Sequence, residues 1–122
     1  MPENIKLLVV EDEDALRTLL ASELESHGFT VQEADGGTVA LEALDNDRFN
    51  LVLLDIRLPD IDGLEILKTI RKRNLADKVI MLTGVDELKI AKDSLSYGAN
   101  DFMTKPYDFR NLLACINRVL KE

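Results

Sequence analysis

The chain has 122 residues, 46% of them hydrophobic and 31% charged, with 23 Asp+Glu against 15 Lys+Arg for a net charge of −8. That length predicts one domain burying roughly two-thirds of its unfolded surface, and the composition excludes a disordered chain. The acidic balance argues against a nucleic-acid-binding surface, which needs an excess of Lys and Arg, while a single cysteine and a single histidine exclude a disulfide framework and leave zinc and Ser-His-Asp chemistry without support.

The N-terminal Met1-Pro2-Glu3-Asn4 has no basic start or long apolar stretch, so no signal peptide is expected. Residues 5–10 form a nearly continuous apolar run, the pattern of a parallel strand covered on both faces. Glu11-Asp12-Glu13-Asp14 follows it. Leu16, Leu19, Leu20 and Leu24 recur at helical spacing, with Gly28 at the place of a C-terminal cap. Residues 30–34 alternate, which suits a strand near the sheet edge, and Asp35-Gly36-Gly37 reads as a plain turn. Val39, Ala40, Leu41 and Leu44 predict a short second helix. Residues 51–54 form the third strand, followed by Asp55. Leu64, Leu67 and Ile70 predict a third helix whose end, Arg71-Lys72-Arg73, reads as solvated.

Residues 79–82 form the fourth strand and end at Thr83-Gly84. Leu88, Ala91 and Leu95 predict a fourth helix closed by Gly98. Residues 99–103 form a weaker fifth strand, followed by Lys105-Pro106. Phe109, Leu112, Leu113, Ile116, Val119 and Leu120 give the cleanest helical stripe, with Asp108 as its N-cap and Cys115 as a small core residue. His27 is expected at the surface near a helix end. No run approaches the ~20 residues of a membrane span, so the chain reads as cytoplasmic. Strand and helix alternate five times, which predicts an α/β fold: a parallel sheet with helices on both faces.

In open parallel sheets, ligands bind beyond the carboxyl ends of the strands. Residues 1–63 hold 15 acids against 4 bases, and Glu11, Asp12 and Asp55 would converge if the first and third strands are neighbours. Two carboxylates ~4 Å apart repel by roughly 4 kcal/mol at an effective dielectric near 20. A fold stable by only ~5–15 kcal/mol needs relief from such a cluster. Oxygen ligands without His or Cys favour Mg²⁺, Mn²⁺ or Ca²⁺. Lys105 adds a fixed positive charge and Thr83 a hydroxyl. Carboxylate, hard divalent ion, lysine and hydroxyl together make a phosphoryl-transfer site.

Four segments then fall into a known order. Val9-Val10-Glu11-Asp12-Glu13, Leu53-Leu54-Asp55-Ile56-Arg57-Leu58-Pro59-Asp60-Ile61-Asp62-Gly63, Met81-Leu82-Thr83-Gly84 and Tyr97-Gly98-Ala99-Asn100-Asp101-Phe102-Met103-Thr104-Lys105-Pro106 resemble receiver domains of two-component response regulators, of the chemotaxis-regulator kind. The resemblance covers the whole chain, residues 1–122. It implies a flavodoxin-like, doubly wound three-layer α/β/α fold with strand order 2-1-3-4-5. It also implies that Asp55 accepts a phosphoryl group from a histidine kinase or phosphotransfer protein. Glu11, Asp12, Asp55 and the backbone carbonyl of Arg57 correspond to the Mg²⁺ site, with Mn²⁺ as a substitute. Thr83 corresponds to the switch hydroxyl, Lys105 to the phosphoryl-pairing lysine and Phe102 to the switch aromatic. Lys105-Pro106 matches a peptide bond that is often cis in this family.

The output surface so implied is the face of the fourth helix, fifth strand and fifth helix, which also offers a homodimer contact. No membrane or direct nucleic-acid contact is expected, and no catalysis beyond the domain's own phosphotransfer and dephosphorylation. The chain departs from the family pattern at four positions. Glu11 stands where Asp is more common, Phe102 lacks a hydroxyl, and Arg57 and Val85 occupy positions that line the path of the hydrolytic water.

Three other readings compete. A phosphatase of the haloacid dehalogenase type needs a second Asp where Arg57 stands. A flavodoxin-like cofactor carrier would bring an anionic phosphate against Glu11-Asp12-Glu13-Asp14. A catalytically silent pseudo-receiver, acting as an interaction module, would be expected to have lost Asp12, Asp55 or Lys105, and all three are present.

Overall fold

In the computed structural model, which describes residues 4–122, the five strands and five helices alternate along the chain. Met1, Pro2 and Glu3, part of the segment read for a signal peptide, lie outside the described residues. The elements are β1 (Lys6–Val10), α1 (Asp14–Ser26), β2 (Thr30–Ala34), α2 (Gly37–Asn46), β3 (Phe49–Asp55), α3 (Gly63–Arg73), β4 (Ala76–Thr83), α4 (Leu88–Ser96), β5 (Asp101–Thr104) and α5 (Phe109–Leu120). A single 3-10 turn, Val85–Glu87, precedes α4.

The sheet order is β2-β1-β3-β4-β5, parallel throughout. Alternation along each strand divides the core in two. Leu8, Val10, Val52, Leu54, Val79 and Met81 pack against α2, α3 and α4. Leu7, Val9, Leu51, Leu53, Ile80 and Leu82 pack against α1 and α5 through Leu20, Leu24, Leu112, Ile116 and Val119. Residues buried on both faces explain why the three central strands read as continuous apolar runs. β2, at one edge, exposes Thr30, Gln32 and Glu33, which explains its alternation.

Burial differs from the sequence stripes at several helix positions. Leu19, Val39, Leu88 and Leu95 are exposed, and the buried positions include Ala21, Ala43 and Ser94 instead. β4 also starts three residues earlier than its apolar run.

Two polar devices close the fold. Asp60, in the β3–α3 loop, accepts hydrogen bonds from the backbone of Thr38 (2.9 Å), Gly37 (2.8 Å) and Ile61 (2.9 Å). It caps α2 from outside, where Gly36 has no side chain to do so. The Thr38 and Gly37 amides hold its carboxyl well below the usual carboxylate range. A lowered pKa contributes stability above the unfolded value, near 3.8, that is lost as pH falls through the folded value. Asp60→Ala is therefore expected to lower Tm by a few degrees at neutral pH, with the gap from wild type starting to narrow as pH falls below the unfolded value near 3.8 and closing only once pH passes the much lower folded value. Thermal melts across this acid range measure it, and a gap that does not narrow at all below the unfolded value would contradict the cap.

Arg71 corrects the expectation of a solvated helix end. Its guanidinium is partly buried and donates to Gly98 O (2.8 Å), Asn100 Oδ1 (2.7 Å) and Asp77 O (3.1 Å). It ties the last turn of α3 to the start of β4 and to the α4–β5 turn, where Gly98 has φ +107°.

Candidate functional site

Because β1 lies beside β3 in the parallel sheet, the residues after β1 and at the end of β3 meet at the carboxyl end of the sheet. One carboxylate oxygen from each of Glu11, Asp12 and Asp55 lies within 4.8 Å of the others. Glu11 and Asp55 are buried and Asp12 is exposed. Lys105, just past β5, reaches both buried carboxylates: Nζ lies 2.5 Å from Glu11 Oε1 and 3.0 Å from Asp55 Oδ2. Burial acts to lower the Lys105 pKa, but the hydrogen bonds and charges of Glu11 and Asp55 outweigh it and hold the ammonium above its ordinary value.

The remaining carboxylate oxygens are held by backbone. Glu13 N–H donates to Glu11 Oε2 (3.1 Å) and Arg57 N–H to Asp55 Oδ1 (3.1 Å). These contacts fix both side chains in place. The cavity is about 430 Å³, and Arg57, Gly84, Asp86 and Glu87 form part of its wall. The peptide bond Lys105-Pro106 is cis.

The structure thus gathers Glu11, Asp12, Asp55, Arg57 and Lys105 around one cavity. Thr83 ends β4 beside it, fully buried, with its hydroxyl donating to Gly84 O (3.1 Å). Phe102 lies on β5 opposite Met81, half-buried against the α2–α3–α4 side of the core.

Sequence reasoning missed three residues. Glu87 is buried, and its Oε2 accepts from Arg57 Nε at 2.8 Å. Arg17 Nη1 donates to Glu11 O (2.8 Å) while its other nitrogens bond Glu33 and Asp14, anchoring the acidic turn from α1. The Tyr107 hydroxyl is buried without a hydrogen-bond partner among the described residues, and burial pushes its pKa up to about 12. The Arg57–Glu87 and Arg17–Glu33 pairs lie far apart along the chain, so no local spacing signals them. The acid at position 13, by contrast, was visible, and it lines the cavity.

Chemically, the buried carboxylates of Glu11 and Asp55 share a single ammonium, with the exposed Asp12 carboxylate beside them. That leaves a net-negative pocket of hard oxygen donors, suited to a hard divalent cation and poorly suited to a free anion.

Residues 7–117 match the family model of the response regulator receiver domain. The chain is 40% identical over 95% of its length to the uncharacterized transcriptional regulatory protein YkoG of Bacillus subtilis, covering 51% of that protein. It is 38% identical over 98% of its length to the alkaline phosphatase synthesis transcriptional regulatory protein PhoP of the same organism, covering 50% of it. The chain therefore spans about half the length of these curated relatives. Among solved structures, it superposes on a CheY-like receiver domain protein from Methanospirillum hungatei with TM-score 0.92 and 34% identity, covering 98% of this chain and 95% of that one. The receiver domain of NtrX from Brucella abortus gives TM-score 0.89 and 33% identity over 94% and 98% of the two chains.

Proposed function

The chain belongs to the response regulator receiver domain family, and from that premise we propose that residues 1–122 form one receiver unit, phosphorylated on Asp55 by a sensor histidine kinase or phosphotransfer protein. The observation that carries this reading is Asp55 itself: buried at the end of β3, 3.0 Å from the Lys105 ammonium, with Glu11 and Asp12 beside it.

The reaction moves a phosphoryl group from a donor phosphohistidine to Asp55. An Asp55 carboxylate oxygen attacks phosphorus in line, the P–N bond breaks, and the imidazole leaves with the electron pair and takes up a proton. Holding the acceptor rigidly lowers the entropic barrier, which the Lys105 and Arg57 N–H contacts do for Asp55. The donor set fits Mg²⁺, or Mn²⁺ in its place, held by Glu11, Asp12, Asp55 and the Arg57 carbonyl. When bound, such an ion neutralises charge on the phosphoryl oxygens. Lys105 then pairs with those oxygens, as it now pairs with Asp55.

Phosphorylation adds negative charge and strong acceptors at one point. Thr83, one residue from the cavity wall, turns its hydroxyl from Gly84 O to the new acceptors, and Phe102 follows on the neighbouring strand. The output surface is the α4-β5-α5 face, where Leu88, Leu95 and Tyr97 are exposed; it serves an output partner or a second copy of this chain. Among the described residues, no helix is long and apolar enough to cross a membrane, and the expected compartment is the cytoplasm. The domain is a signalling switch, acting catalytically only on its own acyl phosphate.

Acetyl phosphate with Mg²⁺ tests the reading. Intact mass should reveal one acid-stable, base-labile phosphoryl adduct, absent from Asp55→Asn. No adduct on wild type is the outcome of the pseudo-receiver alternative, and an undiminished adduct on the variant moves the acceptor elsewhere.

A further inference from the structure

We propose that Arg57 is a phosphate-triggered latch. Its guanidinium holds the segment before α4 through Glu87 while Asp55 is unmodified, and moves to the phosphoryl oxygens once Asp55 is phosphorylated. The inference rests on Asp55 being the phosphoacceptor.

Arg57 is rooted at the acceptor, because its N–H bonds Asp55 Oδ1 at 3.1 Å. Its guanidinium extends to the opposite wall of the same cavity. There Nε lies 2.8 Å from Glu87 Oε2 and Nη2 lies 3.8 Å from Asp86 Oδ2. The pair is asymmetric: the Arg57 side chain is 72% exposed and that of Glu87 only 9%. An exposed guanidinium gives up a partner at little cost. A buried carboxylate does not, because burial without a partner leaves its charge uncompensated. The other hydrogen bond to the Glu87 carboxylate, from Gly84 N–H, is long at 3.4 Å.

A phosphoryl group on Asp55 changes the competition. It carries nearly two negative charges and three acceptor oxygens, and matches the planar fork of a guanidinium. Lys105 is already shared between Glu11 and Asp55, and Arg57 is the second cation lining the cavity, held there only by partners at its exposed end. Once Arg57 leaves, Glu87 regains compensation by moving into water. Glu87 closes the 3-10 turn and immediately precedes α4. Its departure therefore carries the segment Gly84–Leu88, including exposed Val85, and frees the backbone next to Thr83. The charge placed on β3 is converted into movement at the start of α4.

The test is a double-mutant cycle read by binding of fluoroberyllate with Mg²⁺, a stable mimic of the acyl phosphate. Glu87→Gln keeps the shape and the Gly84 contact but removes the competing charge. It is expected to tighten fluoroberyllate binding about fivefold with Arg57 present, and to have no effect in an Arg57→Met background. Hydrogen exchange at residues 84–88 should rise on fluoroberyllate addition in wild type, and should be high already without it in Arg57→Met. An equal effect of Glu87→Gln in both backgrounds, or unchanged exchange at 84–88 in a wild type that binds, overturns the latch alone. A wild type that fails to bind fluoroberyllate overturns the Asp55 reading and the latch with it.

Discussion

Lys105→Met is expected to lower stability by about 2–3 kcal/mol in chelator-treated buffer and to reduce phosphorylation by acetyl phosphate at least about a hundredfold. The ammonium is the group in hydrogen-bond contact with both buried carboxylates, at 2.5 Å from Glu11 and 3.0 Å from Asp55. Removing it leaves two buried charges facing each other, with Asp12 nearby to add a third. Losing one partner of a fully buried ion pair costs about 3–5 kcal/mol; Lys105 is 26% exposed at its side chain, which brings the expected loss to the bottom of that range or just below it. Millimolar Mg²⁺ should return most of the stability, because a ligand that binds only the folded state stabilises it by mass action. Stability should recover more than phosphorylation does, since Mg²⁺ supplies charge but not the Lys105 hydrogen bonds. Urea unfolding with and without Mg²⁺, beside the mass assay, separates the two. Unchanged stability in chelator would show that Lys105 does not compensate the pocket.

Gly63→Ala is the second large effect. A Cβ at residue 63 would stand 2.2 Å from Asp55 O and 2.8 Å from both Ile56 Cα and Ile56 O. All three are backbone atoms, which cannot swing aside as a side-chain tip can. The variant must push α3 away from the end of β3 and break the Gly63 N–H to Ile56 O bond of 2.9 Å. Overpacking of this kind costs about 3 kcal/mol or more when backbone has to move. The displaced carbonyl belongs to Asp55, so phosphorylation should fall even at temperatures where the variant is folded. Denaturant midpoints and adduct yield on the folded fraction measure both. A variant as stable as wild type would mean that the β3–α3 loop yields more easily than its packing indicates.

The latch and the lysine effect concern the same cavity from opposite walls, and they separate by readout. Lys105 acts on the buried carboxylates already present, so its loss appears in the unmodified protein. Arg57 acts on the segment before α4, so its loss appears as raised exchange at residues 84–88 and as a fluoroberyllate affinity that no longer responds to Glu87→Gln.

The fold was legible because the sheet is covered on both faces. Residues 51–54 and 79–82 read as strands since every side chain in them is buried, and the edge strand β2 read as an edge since half of it is wet. The helix ends at Gly28 and Gly98 were visible for a local reason: both take positive φ, which glycine adopts without penalty. The helix faces were less legible. Leu88, Ala91 and Leu95 fit a helical stripe, yet of these α4 buries only Ala91, and buries the polar Ser94 beside it.

By itself, the sequence determined the element order, the parallel sheet and the placing of Glu11, Asp12, Asp55, Thr83 and Lys105 at strand ends, because strand periodicity and strand termini are local properties of the chain. Only the tertiary structure decided which of those groups touch. It brought Lys105 onto Glu11 and Asp55, closed α2 with Asp60 and turned Arg71 into a clamp. It also set Arg57 against Glu87 across thirty residues of chain. Charges have no periodicity that names their partners. Their pairing follows from the strand order, and the strand order follows from how the two apolar faces of the sheet are covered.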